Sequence, residues 1–306
     1  MPKAAGLALS IVVVAYDMER EVARTLRSLA PTYQRDIDAS DYEVVLVDNG
    51  SPRPIGEEIL AAFPGRFRTV RLDNASPSPA HAANVGLEMA EGELVGLLID
   101  GARLASPGLL SQSRVADRVA DRAVVATLAW HLGTEEHMRA EEVGYDQAAE
   151  DRLLAEADWE SDGYRLFDIS TLAGSSRRGW FGALDESNAL FMHRAMWKEL
   201  GGLDEQFALP GGGALNHDLY RRACALAGSR LVVLLGEGTF HQIHGGALTS
   251  ASYPREWALS EYETLRGTPL DVPAFDPLYL GTVPPAALPH LDYSIRWAMR
   301  GRERPA

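Results

Sequence analysis

The chain has 306 residues, of which 46% are hydrophobic, and a formal net charge of −14. That length suits one large α/β domain or two modest ones, the composition excludes a disordered chain, and the acidic balance excludes a general nucleic-acid binder while leaving room for a local nucleotide site. The one cysteine, Cys224, excludes an intrachain disulfide and fits a reducing cytoplasm, and no run of about 18 apolar residues is present to span a membrane.

The first elements alternate strand and helix. LSIVVVAY (Leu9–Tyr16) is a continuous β-branched run that stops at the polar pair Tyr16 and Asp17, so it reads as a strand covered on both faces rather than as a leader segment. MEREVARTLRSLA follows, with Val22, Leu26 and Leu29 at helical spacing. YEVVLVDNGSP (Tyr42–Pro52) is a second strand that ends at Asp48 in a turn; GEEILAAF is a helix and FRTVRLD a third strand. PAHAANVGLEMAEG is a helix closed by Gly92, and ELVGLLID is a fourth strand ending in Asp100. This order predicts a mostly parallel, doubly wound sheet with helices on both faces. Ligands of such sheets sit beyond the carboxyl ends of the strands, which here carry Tyr16, Asp17, Asp48, Asn49 and Asp100.

Past Leu110 the pattern reads as a helix and a strand over SQSRVADRVADRAVVATLAWHLG, then an acidic, loop-like region with a helix over YDQAAEDRLLAEAD. SSRRGWFG is an aromatic and basic loop, NALFMHRAMWKELGG a strand and a helix stopped by Gly201 and Gly202, and HDLYRRACALAG a further helix. SRLVVLLGEGTFHQIHGG is a strand running into a loop with His241 and His244. Residues 251–306 form a Pro-rich, aromatic extension expected to drape over the domain.

A dinucleotide or triphosphate site at the first strand needs a glycine-rich turn, and VVAYDMEREV has no glycine. Instead Tyr16 offers an aromatic ring for a base, and Asp48 a carboxylate for a base N–H or ribose hydroxyl. At this point the chain resembles the family 2 glycosyltransferases with the GT-A fold, over roughly Leu9–Gly246. The resemblance rests on SIVVVAYDMEREVARTLRSL, YEVVLVDNGS, the Asn-x-Gly and Gly-Glu of AANVGLEMAEGEL, LLID and GGLDEQF, in that order. It implies a Rossmann-like GT-A sandwich in residues 1–250, with a donor-binding half of about 1–110 and an acceptor-side half of about 111–250. It further implies sugar transfer from a nucleoside diphosphate sugar, by default UDP-linked, to a glycan or small-molecule acceptor hydroxyl with inversion, aided by Mg²⁺ or Mn²⁺. Self-association is left open.

The departures from the family pattern carry as much information. Where an Asp-x-Asp or Asp-Asp pair binds the cation, Ile99, Gly101 and Ala102 leave Asp100 as the one acid. A single carboxylate makes a weak hard-cation site, which His244 or His241 from the GTFHQIHGG loop can supplement. Where the family has its Glu-Asp base motif the chain reads LNHDLYRR; Asn216 cannot take a proton, so Asp218 is the nearest competent base, with helix capping as its alternative role. Asp185 or Glu186 is a second candidate base. The expected donor side is Val14, Tyr16, Asp48, Asn84, Asp100 and Arg103. His81, one helical turn from Asn84, is either a phosphate contact or a surface residue, and Arg103 either offsets diphosphate charge or is a solvated loop cation. Trp180 is expected either to stack on an acceptor sugar or to sit in the core under its loop. The rival reading, motivated by the missing acids, is a non-catalytic GT-A protein that binds a nucleotide, a glycan or a protein partner. A nucleotidyltransferase is disfavoured because AYDMEREV is not the glycine-rich basic loop that holds a triphosphate.

Overall fold

A computed structural model describes residues 7–245 and 254–302. Strand β1 (Leu9–Ala15) is buried along its whole length, as its unbroken run of β-branched side chains demands. Its alternating side chains feed two cores. Val12 and Val14 join one cluster with Val45, Val47, Ala80 and Ala83, while Ile11 and Val13 join the other with Val22, Leu26 and Leu46. The second cluster is covered by helix α1 (Glu19–Ser28), where the spacing of Val22 and Leu26 places both on the buried face.

β1 pairs in parallel with β2 (Tyr42–Asp48) on one side and with β4 (Leu94–Leu98) on the other. β3 (Arg66–Arg71) extends the sheet beyond β2, after the short helix α2 (Glu57–Ala61). Helix α3 (Ala80–Met89) lies across β1 and β2, and Gly86 is what lets it approach: a methyl there would stand 2.3 Å from Val12 Cγ1. After β4 the chain makes a short strand β5 (Arg103–Ala105), helix α4 (Leu109–Asp117), the long strand β6 (Ala123–Leu132), helix α5 (Gln147–Ala157) and a short strand β7 (Ser170–Leu172). Then come β8 (Ala189–His193), α6 (Arg194–Leu200), α7 (Leu215–Ala225) and β9 (Arg230–His241). The last described elements are α8 (Arg255–Arg266), β10 (Leu278–Gly281) and α9 (Leu288–Arg302).

The strand order is β10-β9-β6-β8-β4-β1-β2-β3. β8 runs antiparallel to both β4 and β6, so its first residue lies at the carboxyl end of β4. β6, β9 and β10 run in the same direction as β4, and their carboxyl ends therefore open on the same edge as those of β1 and β2. The sheet is thus mixed, with an antiparallel member at its centre. β5 and β7 are too short for a sequence pattern to reveal; β5 pairs antiparallel with the end of β9.

The expected draped tail is instead woven into the domain. β10 pairs in parallel with β9, and Ser294 of α9 accepts a hydrogen bond from the Trp180 amide at 3.0 Å. The expected boundary at residue 250 lies outside the described residues. No helix among those described is long and apolar enough to cross a membrane.

Gly86→Ala measures how tightly α3 is seated. Helix propensity alone favours the change by about 1 kcal/mol, but the methyl has to displace Val12. The expected net effect is a loss of about 1–3 kcal/mol, read as a lower urea midpoint at unchanged slope.

Candidate active site

Asp100 leaves the carboxyl end of β4 and closes a turn, its Oδ1 accepting from the Ala102 amide at 3.0 Å. The turn has no room for a second acid. A side chain on Gly101 would begin 2.9 Å from Ala15 Cβ and 3.0 Å from both Met18 Sδ and the Val14 carbonyl, and Ala102 is fully buried. Thr25 Oγ1 on α1 donates to the Gly101 carbonyl at 2.7 Å, and the Gln242 amide donates to the Ala102 carbonyl at 2.8 Å.

That second bond brings the end of β9 onto the Asp100 turn. His241 Nε2 stands 2.8 Å from Asp100 Oδ2, His244 Nε2 stands 3.8 Å from Asp100 Oδ1, and the two ring nitrogens are 3.2 Å apart. One ligand atom from each of the three residues lies within 4.8 Å of the others. The loop carrying His244 is held by the Ile243 amide, which donates to Glu150 Oε2 of α5 at 2.7 Å. Burial pushes His241 down to about 3, against the pull of Asp100, so the ring is neutral. For His244 the Asp100 carboxylate outweighs burial and raises the ring above its ordinary value. One carboxylate oxygen and two imidazole nitrogens converging on one point make a donor set suited to a divalent cation.

Arg103 opens β5 directly opposite His241 in the ladder. It is buried, not a solvated loop charge, with Nε 3.7 Å from Asp100 Oδ2. Its Nε and Nη1 have no hydrogen-bond partner among the described residues. Unspent guanidinium donors beside the three convergent ligands supply what an anionic oxygen needs.

Elsewhere on the donor side the expectations divide. Tyr16 ends β1 with half its surface exposed at the crevice, free to lie against a planar ring. Val14 is buried in the core. Its side chain cannot meet a ligand. Asp48 is also buried, and its oxygens are occupied: Oδ1 accepts from the Ser51 amide and hydroxyl at 2.8 and 2.6 Å, and Oδ2 from the Ile55 amide at 3.3 Å and Arg71 Nη1 at 2.7 Å. Burial opposes its charge, but these bonds win and hold the carboxyl below its ordinary value. Asp48 therefore organises the turn, while its neighbour Asn49 keeps a buried Oδ1 without a partner among the described residues. Asn84 splints a loop: its amide exchanges hydrogen bonds with the Leu203 backbone at 2.8 and 3.0 Å and donates to Glu205 at 2.9 Å. His81 is exposed and faces the same Glu205.

The acceptor-side expectations change most. Trp180 is fully buried; its indole N–H donates to the Leu234 carbonyl at 3.0 Å and its ring packs on Trp130, so it cannot stack on a sugar. Asp218 is neither a base nor a cap. It is fully buried and locked between Arg222 Nε at 2.7 Å and Arg266 Nε at 2.5 Å, the latter from α8 in the C-terminal segment. Asp185 is likewise held by Arg177 and Arg178 at 2.6 and 2.7 Å. Glu186 differs. It lies just before β8, at the carboxyl end of β4, partly exposed, with Oε2 accepting from Asn216 Nδ2 at 2.8 Å. It is close enough to bias the charge on Arg103. Asn216, which cannot act as a base, holds the Glu186 carboxylate in place.

Residues 10–111 match the family model described as Glycosyl transferase family 2. In three dimensions the chain is similar to S. aureus TarS, at 15% identity and a TM-score of 0.53, with 77% of this chain matched to 37% of that one. It is also similar to mannosyltransferase PcManGT from Pyrobaculum calidifontis solved with GDP-Man and Mn²⁺, at 16% identity and a TM-score of 0.52, over 97% of this chain and 71% of that chain. The chain has the GT-A fold of these structures, and its residues 10–111 are similar to the family 2 glycosyltransferases. A third similar structure, S. aureus TarS 1–349 with UDP-GlcNAc, has 16% identity, a TM-score of 0.51 and 61% of its length covered by 80% of this chain. The chain spans little more than a third of the full TarS chain. No curated protein matches it in sequence.

Sequence reasoning missed two histidines of this GT-A domain. His131 at the end of β6 and His137 just after it pack behind His241. The register of β6 against β9 sets His131 beside His241, a pairing that no local pattern reveals.

The Asp218 assignment has a direct stability test. Asp218→Ala leaves Arg222 and Arg266 without their shared anion, and because both arginines retain some contact with water the expected cost is about 2–3 kcal/mol. Arg266→Ala should also destabilise, and the double variant should cost less than the two single losses together, measured by urea unfolding.

Proposed function

We propose that this domain transfers a sugar from a nucleoside diphosphate sugar to an acceptor hydroxyl. The observation that carries the reading is the convergence of Asp100, His241 and His244, with the unspent donors of Arg103, at the carboxyl ends of the strands where a GT-A fold presents its ligand crevice. S. aureus TarS solved with UDP-GlcNAc and the mannosyltransferase solved with GDP-Man and Mn²⁺ share this fold.

Tyr16 lies against the base, and the partnerless Oδ1 of Asn49 accepts from a base or ribose donor. Arg103 takes a diphosphate oxygen. Asp100, His241 and His244 hold a divalent cation; two imidazoles and one carboxylate suit Mn²⁺ better than Mg²⁺, which prefers an all-oxygen shell. A bound cation there supplies neutralisation of the negative charge that gathers on the departing diphosphate.

Glu186 is the base of this reading. Its carboxylate takes the acceptor hydroxyl proton as the acceptor oxygen bonds to the anomeric carbon, while the bond from that carbon to the diphosphate oxygen breaks. Direct displacement from the opposite face inverts the anomeric centre. Asn216 holds Glu186 in place for this step. UDP is the default nucleotide because it accompanies TarS, with GDP the next to test.

The test is release of nucleoside diphosphate from UDP-, GDP- and dTDP-sugars with Mn²⁺ or Mg²⁺, beside calorimetry of the same nucleotides. Turnover with at least one donor, faster in Mn²⁺, is expected. Glu186→Gln should lower kcat by about 10²–10⁴-fold while nucleotide binding persists, and Asp100→Ala should abolish both Mn²⁺ binding and turnover. Tight nucleotide binding with no turnover of any donor would overturn the reading in favour of a non-catalytic binding protein.

A further inference from the structure

Behind the three convergent ligands lies a line of hydrogen bonds that nothing in the transfer chemistry requires. His137 Nε2 is 2.9 Å from the Leu132 carbonyl. On the other side of the ring, His137 Nδ1 is 2.9 Å from His241 Nδ1. The far nitrogen of His241, Nε2, is the one that faces Asp100 and His244.

The proton positions along this line follow from the partners. A carbonyl oxygen only accepts, so His137 must carry its proton on Nε2. Both rings are buried, at 4% and 1% exposure, and the Asp100 carboxylate that faces His241 already has the Arg103 guanidinium beside it, so a second proton on either ring would bury a further cation. With one proton per ring, His137 presents a lone pair at Nδ1. The 2.9 Å contact then requires His241 to donate from its own Nδ1. His241 is left with a lone pair on Nε2, aimed at Asp100 Oδ2 at 2.8 Å. Two lone pairs facing at that distance repel unless a cation lies between them.

We infer that His137 is a positioning residue, which sets the tautomer of His241 so that its Nε2 is a ready ligand for a divalent cation shared with Asp100 and His244. This rests on the reading of those three residues as a cation site, and it extends that reading to a residue that touches neither cation nor substrate. Without an acceptor at His137, the other tautomer of His241 is favoured, because an Nε2 proton makes a charge-assisted bond to the Asp100 carboxylate. A cation then has to displace that proton. Partners of this kind fix ring orientation and ligand basicity at other metal sites.

His137 itself is held with little freedom. His131 stacks on it, with ring centroids 4.6 Å apart and an interplanar angle of 23°, and Tyr145 stacks at 5.8 Å and 25°. The His137 amide donates to His131 Nδ1 at 2.9 Å. The ring is thus fixed by two aromatic neighbours, a backbone carbonyl and its own amide.

The test uses the full chain and two readouts. The first is the nitrogen chemical shifts of the His241 ring by NMR in metal-free protein, for wild type, His137→Phe and His137→Asn. Wild type should show the proton on Nδ1. His137→Phe should move it to Nε2, and His137→Asn, whose amide oxygen falls near the place of the lost Nδ1, should return it to Nδ1. The second is Mn²⁺ affinity by calorimetry without any nucleotide sugar. His137→Phe should bind about 10–100-fold more weakly, and His137→Asn should lie within a few-fold of wild type. A purely structural His137 would lower the thermal midpoint of both variants without exchanging the tautomer. An Nε2 proton in wild type, or the same tautomer and the same Mn²⁺ affinity in all three proteins, would overturn the inference. If wild type fails to bind Mn²⁺, the cation site and this inference fall together, whereas loss of sugar transfer with Mn²⁺ binding intact would touch only the reading of the reaction.

Discussion

The Asp100 to His241 contact is the constraint on which the site depends. Asp100 ends β4 and His241 ends β9, two strands separated in the sheet by β8 and β6. They meet because the chain turns back after Asp100 and lays β5 antiparallel on β9, with Arg103 opposite His241 in the ladder. Backbone hydrogen bonds thereby set the spacing of an acid, an imidazole and a guanidinium, and the small residues Gly101 and Ala102 are what let the turn fit under β1 and α1. A second acid after Asp100 would collide with Ala15 and Met18. Its absence reflects packing as much as chemistry, and the imidazoles of His241 and His244 stand beside the one acid instead.

The second half of the chain is organised by where arginines have been spent. Asp185 and Asp218 each sit between two guanidinium groups, which ties them to the scaffold. Arg266 also reaches Asp204 in the GGLDEQF loop, so α8 of the C-terminal segment clamps both that loop and α7. Glu186 has no arginine partner among the described residues: Asn216 and Asn188 donate to it, and His217 Nε2 stands 3.9 Å away.

Much of this was legible in the residues alone. The alternation of buried strands and amphipathic helices up to Asp100, the crevice at the strand ends, Tyr16 at its rim and Asp100 as a lone acid all follow from local periodicity and turn chemistry, which act over a few neighbours. The two readings of Trp180 were both legible; burial decided for the core. What was not legible shares one property. Asp218 reads as an accessible acid on a helix until Arg266, 48 residues on, is folded against it, and Asp48 reads either as a ligand or as a turn residue until Ser51, Ile55 and Arg71 take its oxygens. The edge strand β10 and the partnering of Ser294 with the Trp180 loop lie in a segment whose prolines and aromatics signal no regular element.

The sequence by itself determined the class of fold, the direction in which the first four strands point and the identity of the acid at the crevice, because each depends on side-chain pattern within one element or one turn. Only the tertiary structure decided which polar groups remain unspent. The side chains of Asp48, Asn84, Asp185 and Asp218 are consumed by partners distant in the chain or held in buried turns, whereas Asn49 Oδ1 and Arg103 Nε and Nη1 are left without hydrogen-bond partners among the described residues. That division is set by burial and by hydrogen-bond saturation, and both are properties of the packed chain that no stretch of sequence carries alone.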